Sequence, residues 1–213
     1  MIDELHAHTT TAVWDALKAR HATIPRVWSG ETVVCAGTGP SLTKADLDLC
    51  RGRARVIAVN DAYKLAPWAD ILYACDAKWW NWHKGAPDFQ GRKYAMTDAA
   101  AKWPGVELLR NKGKRGLSLD PDGICTGHNS SYQAINVAVL SGAARVILLG
   151  VDMSGDHFFG SHPDKSKPPF KLALEAFPTL VEPLKAAGVE IFNCSRKTAL
   201  TCFPRIPLEE ALA

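Results

Sequence analysis

The sequence predicts an α/β chain: a doubly wound, mostly parallel, Rossmann-like sheet of about six to seven strands with helices on both faces. Three observations predict it. Apolar runs alternate with helical stretches through most of the chain. Several of those runs are continuously apolar rather than alternating, as strands buried on both faces require. Two helical stretches pass into a strand across a glycine, in LSGAARVILL and KAAGVEIF, where Gly142 and Gly188 can adopt the left-handed, helix-ending conformation without a Cβ penalty. Parallel neighbours need a crossover, and the crossover is usually a helix.

The first element expected is a helix over TTTAVWDALKARHATI, within an N-terminal helical segment spanning residues 1–30 on the outside of the sheet. Strand candidates follow at TVVCA (32–36), RVIAV (55–59), DILYAC (70–75), VELLR (106–110), ARVILLG (144–150) and VEIFN (189–193). Helices are expected over TKADLDLCR after the first strand, SSYQAINVAVLSG before the fifth and FKLALEAFPTLVEPLKAAG before the sixth. The stretches 111–127 and 151–169 are long, charged and rich in Gly and Pro, and the second reads as a lid loop. With no repeat or linker, the 213 residues and 47% hydrophobic content suit one sizeable core, hence one domain over 1–213.

Composition narrows the function classes. Lys plus Arg total 25 against 22 Asp plus Glu, and a formal charge of +3 is too mild to imply nucleic-acid binding, so a small-molecule partner is expected. The start MIDELHAHTT is acidic and polar, unlike a secretory signal, and no apolar run approaches a membrane span, so the expected location is cytoplasmic. Six cysteines at irregular spacings, with no C-x-x-C pair, favour neither a zinc ribbon nor a disulfide framework; reduced thiols are expected.

In an open parallel sheet, ligands collect beyond the carboxyl ends of the strands. The polar residues at those ends are Gly37, Thr38, Gly39, Pro40 and Ser41 after the first strand, Asn60 and Asp61 after the second, Asp76 after the third, and Gly150 and Asp152 after the fifth. Gly37 and Gly39 let the backbone turn tightly and approach a ligand, and Pro40 pre-sets φ for a helix start; a plain tight turn is the alternative. Leu42 replaces the third glycine of G-x-G-x-x-G and no G-K-[ST] follows, so neither a dinucleotide fingerprint nor a Walker A loop is present. Gly127, Asn129, Ser130 and Ser131 open the helix before the fifth strand. One Asn or Ser suffices for a cap, and the longer run suggests an anion site at the helix N-terminus.

Other side chains leave two readings open. Trp79, Trp80, Trp82 and His83 form either a packed sub-core or a platform for a sugar or base. His157 and His162, five apart in the second long loop, suit a general base or a metal, and His6 and His8 carry no assigned role. The run Arg110, Lys112, Lys114, Arg115 is either a solvated loop, a closure over phosphates or a contact with nucleic acid. Lys165, Lys167 and Lys171 with Pro168 and Pro169 suggest a lid beside His162.

The ordered motifs AGTGPSL, VIAVNDAYK, GHNSSYQAINVAVLSGAARVILLGVDMS and VEIFNCSRKTALTCF, spread over residues 32–205, resemble those of the bacterial sialyltransferases of glycosyltransferase family 42. They are also similar to the domain that includes the archaeal 6-hydroxymethylpterin diphosphokinases (MptE-like), and HFFGSHP resembles uncharacterised phage and prophage proteins of this type. The resemblance implies a Rossmann-like nucleotide-dependent transferase, in the host cytoplasm if phage-encoded. It makes Gly37, Gly39 and Ser41 the phosphate-side turn, Asn60 the amide that reads the nucleotide, Ser130 a donor contact and Asp152 the acidic position after the fifth strand. A histidine in the following loop is then the general base, with His162 the nearest match and His157 the second. The family's tyrosine phenols have no counterpart after Asp152, where Met153 and Ser154 stand.

The leading expectation is therefore a glycosyltransferase using a nucleotide-activated sugar, with no cofactor required. Such a reaction must hold the leaving phosphate, stabilise its growing charge and take a proton from the acceptor. The acceptor class stays open among a glycan, a small molecule and a modified nucleic acid, and a homo-oligomer is compatible. One alternative is an ATP-dependent diphosphokinase with Mg²⁺ at Asp76 and Asp152; another is a non-catalytic nucleotide-binding module.

Overall fold

The computed structural model describes residues 21–213. Its strands are β1 (Thr32–Ala36), β2 (Arg55–Val59), β3 (Ile71–Tyr73), β4 (Arg92–Ala95), β5 (Val106–Leu108), β6 (Arg110–Gly113), β7 (Gly123–Cys125), β8 (Arg145–Leu149) and β9 (Glu190–Asn193). Seven of them form one sheet in the order β5-β4-β3-β2-β1-β8-β9, and every neighbouring pair is parallel. The strands β6 and β7 make a separate parallel pair.

Helices α1 (Lys44–Cys50), α2 (Ala77–Trp82), α3 (Ser130–Ser141), α4 (Phe170–Ala176), α5 (Val181–Ala186) and α6 (Leu208–Ala211) cover both faces. Alternate residues of β1 enter opposite cores: Val33 and Cys35 join α3 and α4, whereas Val34 and Ala36 join α1 and α2. That double burial is why the strand runs are continuously apolar. Helix α3 is buried from Ser131 to Ser141 and packs behind β1 and β2. It ends at Gly142, whose φ of 104° is open to glycine at little cost.

Several elements depart from the sequence expectation. The helix expected over FKLALEAFPTLVEPLKAAG breaks into α4, a 3-10 turn (Phe177–Leu180) and α5, because Pro178 lacks the N–H that a continuous helix would use. Most of the N-terminal helix expected over TTTAVWDALKARHATI lies outside the described residues, as do His6 and His8. His21 to Ile24 are not helical, and Ile24 and Trp28 fill the core instead. The stretch 111–127 is not plain loop, since it carries most of β6 and all of β7. All six cysteines are free thiols. No helix among the described residues is long and apolar enough to cross a membrane.

Candidate functional site

The strand order reverses between β1 and β8, where the chain leaves one side of the sheet and restarts on the other. Loops leaving adjacent carboxyl ends diverge at such a point and open a crevice. A cleft of about 550 Å³ lies there, lined by residues that follow β1, β2, β3 and β8 and by the N-terminus of α3.

Backbone contacts fasten the loops after β1 and β8 together. Gly37 N donates to Leu149 O and Gly39 N to Gly150 O, each at 2.7 Å. A Cβ on Gly37 would stand 2.6 Å from Gly150 O, and one on Gly39 would stand 2.7 Å from both Gly150 O and Asp152 Oδ1. Neither glycine has a positive φ. These glycines therefore let two protein loops cross at backbone distance, a reason for glycine that the sequence expectation did not contain. Ser41 and Asp152 belong to the same fastening: Ser41 N donates to Asp152 Oδ2 at 2.8 Å and Ser41 Oγ to Oδ1 at 2.6 Å.

Of the residues singled out from sequence, Thr38, Gly39, Asn60, Asp76, Asn129, Ser130, Ser131, Gly150, Asp152, His157 and His162 line this one cleft. Gly37, Pro40, Ser41, Asp61 and Gly127 do not. Gly127 is a glycine because the Tyr132 ring lies where its Cβ would be, and its φ is 51°. Asp61 turns away from the cleft and is 3% exposed. Its carboxylate accepts from Trp79 Nε1 at 2.8 Å, lies 2.9 Å from His83 Nε2 and pairs with Lys64. Burial raises the Asp61 carboxyl, but those partners outweigh it and hold the group well below the usual carboxylate range. Asp61 is therefore a structural anion under α2.

At the mouth of α3, the Asn129 side chain caps the helix by accepting from Ser131 N (2.8 Å) and Tyr132 N (3.2 Å). That leaves the Ser130 hydroxyl without a partner among the described residues, on the cleft wall. Lys114 and Lys167 also line the cleft with no ion pair among the described residues, whereas Lys112 is engaged by Asp120 and Asp122 and Arg115 by Glu175. Two unpaired ammonium groups near an exposed helix N-terminus favour an anion.

Residues 151–169 carry the histidines and are tied down at several points. Phe158 N donates to Thr38 O at 2.9 Å, and Thr38 Oγ1 shares a 2.8 Å hydrogen bond with His157 Nδ1. The other nitrogen of His157 is buried and unpartnered. Burial lowers the His157 pKa, and the neighbouring His162, its ring centre 4.5 Å away, lowers it further. His162 packs against Trp82 at 5.5 Å, and Lys78 at the start of α2 pairs with Asp164 at 3.0 Å.

The Trp cluster divides. Trp79 and Trp80 are buried and donate to Asp61 and to Ala74 O, so they form a sub-core, while Trp82 is half-buried beside the cleft. Cys75 lines the cleft too, but burial pushes its thiol up to about 11, so it stays protonated and is a poor nucleophile. Asp76 is exposed and unpaired, yet both oxygens of Asp152 already accept from Ser41 and the residue is 2% exposed. Among the described residues no group of three His, Cys, Asp or Glu converges as a metal-ligand set. A Mg²⁺ ion here would thus have Asp76 as its open carboxylate, with Asp152 already engaged by Ser41.

Sequence reasoning missed Gln133, which is 2% exposed on the cleft wall and joins Tyr73 OH (2.9 Å) to Thr126 O (2.7 Å). It also missed the backbone of the rim. Asn60, His128 and Met153 line the cleft with φ of 49°, 56° and 52°. Asn60 and His128 are of residue types that adopt that conformation more readily than most, whereas Met153 carries no such signal.

Fold and site together define a Rossmann-like α/β chain with a polar cleft at the point of strand-order reversal. No family model and no curated protein sequence matches the chain. Among solved structures, its fold is similar to that of the MAf glycosyltransferase from Magnetospirillum magneticum AMB-1, with a TM-score of 0.64 and 13% sequence identity. The likeness covers 89% of this chain and 36% of that protein, so this chain spans about a third of its length. At 13% identity the likeness shows a common fold alone.

Proposed function

We propose that the chain is a nucleotide-dependent group transferase, specifically a glycosyltransferase that uses a nucleotide-activated sugar. The observation that carries this is the polarity of one cleft: a helix N-terminus with Ser130, Ser131, Lys114 and Lys167 on its walls, and the pair His157 and His162 in the loop beside it. That the fold neighbour is a glycosyltransferase adds support.

In the proposed reaction the donor phosphate sits against the N-terminus of α3, where Ser130 and the two lysines meet its oxygens. As the bond between the anomeric carbon and the phosphate oxygen breaks, negative charge grows on that oxygen and the same donors stabilise it. The acceptor oxygen forms the new bond to the anomeric carbon and gives its proton to His162. His157 is a positioning residue: fixed by Thr38 and kept neutral by burial, it leaves His162 to take the proton. Residues 151–169 act as the lid, and the whole chain acts as one unit.

A diphosphokinase is favoured by one observation, the open carboxylate of Asp76 at the end of β3. One experiment separates the readings: thermal unfolding of the full chain with CMP, CDP, UDP, GDP, ATP and NAD, each with and without Mg²⁺. A ligand at one hundred times its Kd adds about 2.7 kcal/mol. Stabilisation by a pyrimidine nucleotide without metal supports glycosyl transfer, and a strict requirement for ATP with Mg²⁺ overturns it. With the donor so identified, His162→Ala should bind it with near-unchanged affinity and turn over about 10²-fold more slowly. Binding with no donor hydrolysis or transfer at all would leave a nucleotide-binding module.

A further inference from the structure

We infer that a smaller pocket beside the cleft is the acceptor site and takes a neutral sugar ring, an inference that rests on the transferase reading above. The pocket holds about 300 Å³ between the start of α2 and the histidine loop. It shares Asn60, Asp76, His162 and Ser166 with the main cleft, so the two spaces meet at a common wall.

The two spaces differ in where an open cation stands, although carboxylates line both: Asp76, Asp152 and Asp156 the main cleft, Asp76 and Asp164 the smaller pocket. Lys114 and Lys167 line only the main cleft. In the smaller pocket Lys78 is paired with Asp164, and Ser166 Oγ donates to the same carboxylate at 2.7 Å, while Asp76 is open and unpaired. Among the described residues the smaller pocket therefore offers an anionic group no unpaired cation, whereas the main cleft offers two, which argues against a nucleic-acid acceptor with its phosphates.

What the pocket offers suits a polyhydroxylated ring. The half-buried Trp82 presents an aromatic surface, and its indole N–H has no partner among the described residues, unlike those of Trp79 and Trp80. The negative face of an indole attracts the C–H side of a pyranose. The Asp76 carboxylate accepts from sugar hydroxyls, and the Asn60 amide, also without a partner, both donates and accepts. The volume is at the low end for ligand pockets, fitting one ring rather than an extended chain. His162 stands on the shared wall, where it can reach a hydroxyl in the smaller pocket that faces the main cleft, as a base taking the acceptor proton must.

The test is ligand-observed NMR on the full chain with the methyl glycosides of glucose, galactose and N-acetylglucosamine, repeated with saturating CMP, UDP or GDP and with a short single-stranded oligonucleotide. At least one glycoside should bind alongside the nucleotide. Trp82→Ala should weaken it about tenfold or more, Trp82→Phe, which keeps a ring, about threefold or less, and Asp76→Asn several-fold. Unfolding midpoints of all three variants check folding; if Trp82→Ala does not fold, Asp76→Asn and Trp82→Phe decide. Displacement of the glycoside by nucleotide, equal binding by wild type and Trp82→Ala, or binding of the oligonucleotide alone overturns the acceptor assignment. So does nucleotide binding with no glycoside bound, which leaves the donor site standing. Glycoside binding that depends on Trp82, with no nucleotide bound, supports the sugar pocket and overturns the transferase reading.

Discussion

At the residue scale, the turn after β1 is governed by what the protein itself places there. Gly37 and Gly39 resemble a phosphate loop in sequence, yet the space their side chains would take is filled by Gly150 O and Asp152. The two loops bordering the cleft are thereby held at backbone distance, with Ser41 and Asp152 as the clasp. Gly37→Ala tests this. Its Cβ would lie 2.6 Å from Gly150 O and 3.1 Å from Ser131 Oγ, so β1 and β8 must separate beyond the sheet or the start of α3 must shift. Urea unfolding should show a loss of about 1–3 kcal/mol, and nucleotide affinity should fall with it, since Ser131 lines the cleft. A purely ligand-facing glycine would give the affinity loss with stability unchanged.

At the element scale, legibility followed burial. The runs at β1 and β2 are legible to the residue because both faces are buried and every side chain after the opening Thr32 or Arg55 is apolar. Strand β4 was missed because RKYA looks polar. Lys93 lies 8% exposed in that strand, its ammonium reaching the carbonyls of Gly85 and Ala86, and no local pattern announces such a route. The β6 and β7 pair was hidden for a related reason, its charges being spent on Arg110–Asp122 and Lys112–Asp120 contacts within a short segment. Of the site, the strand-end polar residues were legible and the reason for Gly37, Ser41 and Asp61 was not, because it depends on which loops become neighbours. The histidine loop yields a pH prediction. His157 is held neutral by burial and its folded pKa lies below the ordinary 6.5, so the unfolded loop binds the proton more readily. The loop's stability from this source is complete above about pH 6.5 and is lost as pH falls through the folded pKa. Amide exchange at Phe158 and Gly160, corrected for intrinsic rate, should lose protection between pH 7 and 5, and His157→Gln should abolish that pH dependence. Equal protection at both pH values would show that His157 does not couple the loop to acidity.

At the scale of the whole molecule, the charge in the cleft is assembled from distant parts of the chain. Lys114 arrives from the segment after β6, Lys167 from the histidine loop and Ser130 from the start of the buried helix α3, and no two are local neighbours in sequence. The chain holds Lys114 near α3 through Asn136, which is fully buried and accepts from Ser118 N (2.9 Å) and Cys125 N (3.1 Å) while donating to Ser118 O (2.8 Å). A net charge of +3 gives little long-range pull on a nucleotide, so under the proposed function recognition of a donor phosphate rests on these local cations. Replacing Lys114 or Lys167 by Ala should therefore weaken nucleotide binding several-fold each, with the double variant losing roughly the product if the two meet separate phosphate oxygens. Raising salt should weaken the wild type and leave the double variant nearly insensitive, because screening acts on charges that have been removed. Isothermal titration at two salt concentrations measures both effects. Lysine variants that bind as tightly as the wild type and keep its salt response would move the phosphate elsewhere in the cleft, and with it the direction from which the donor enters.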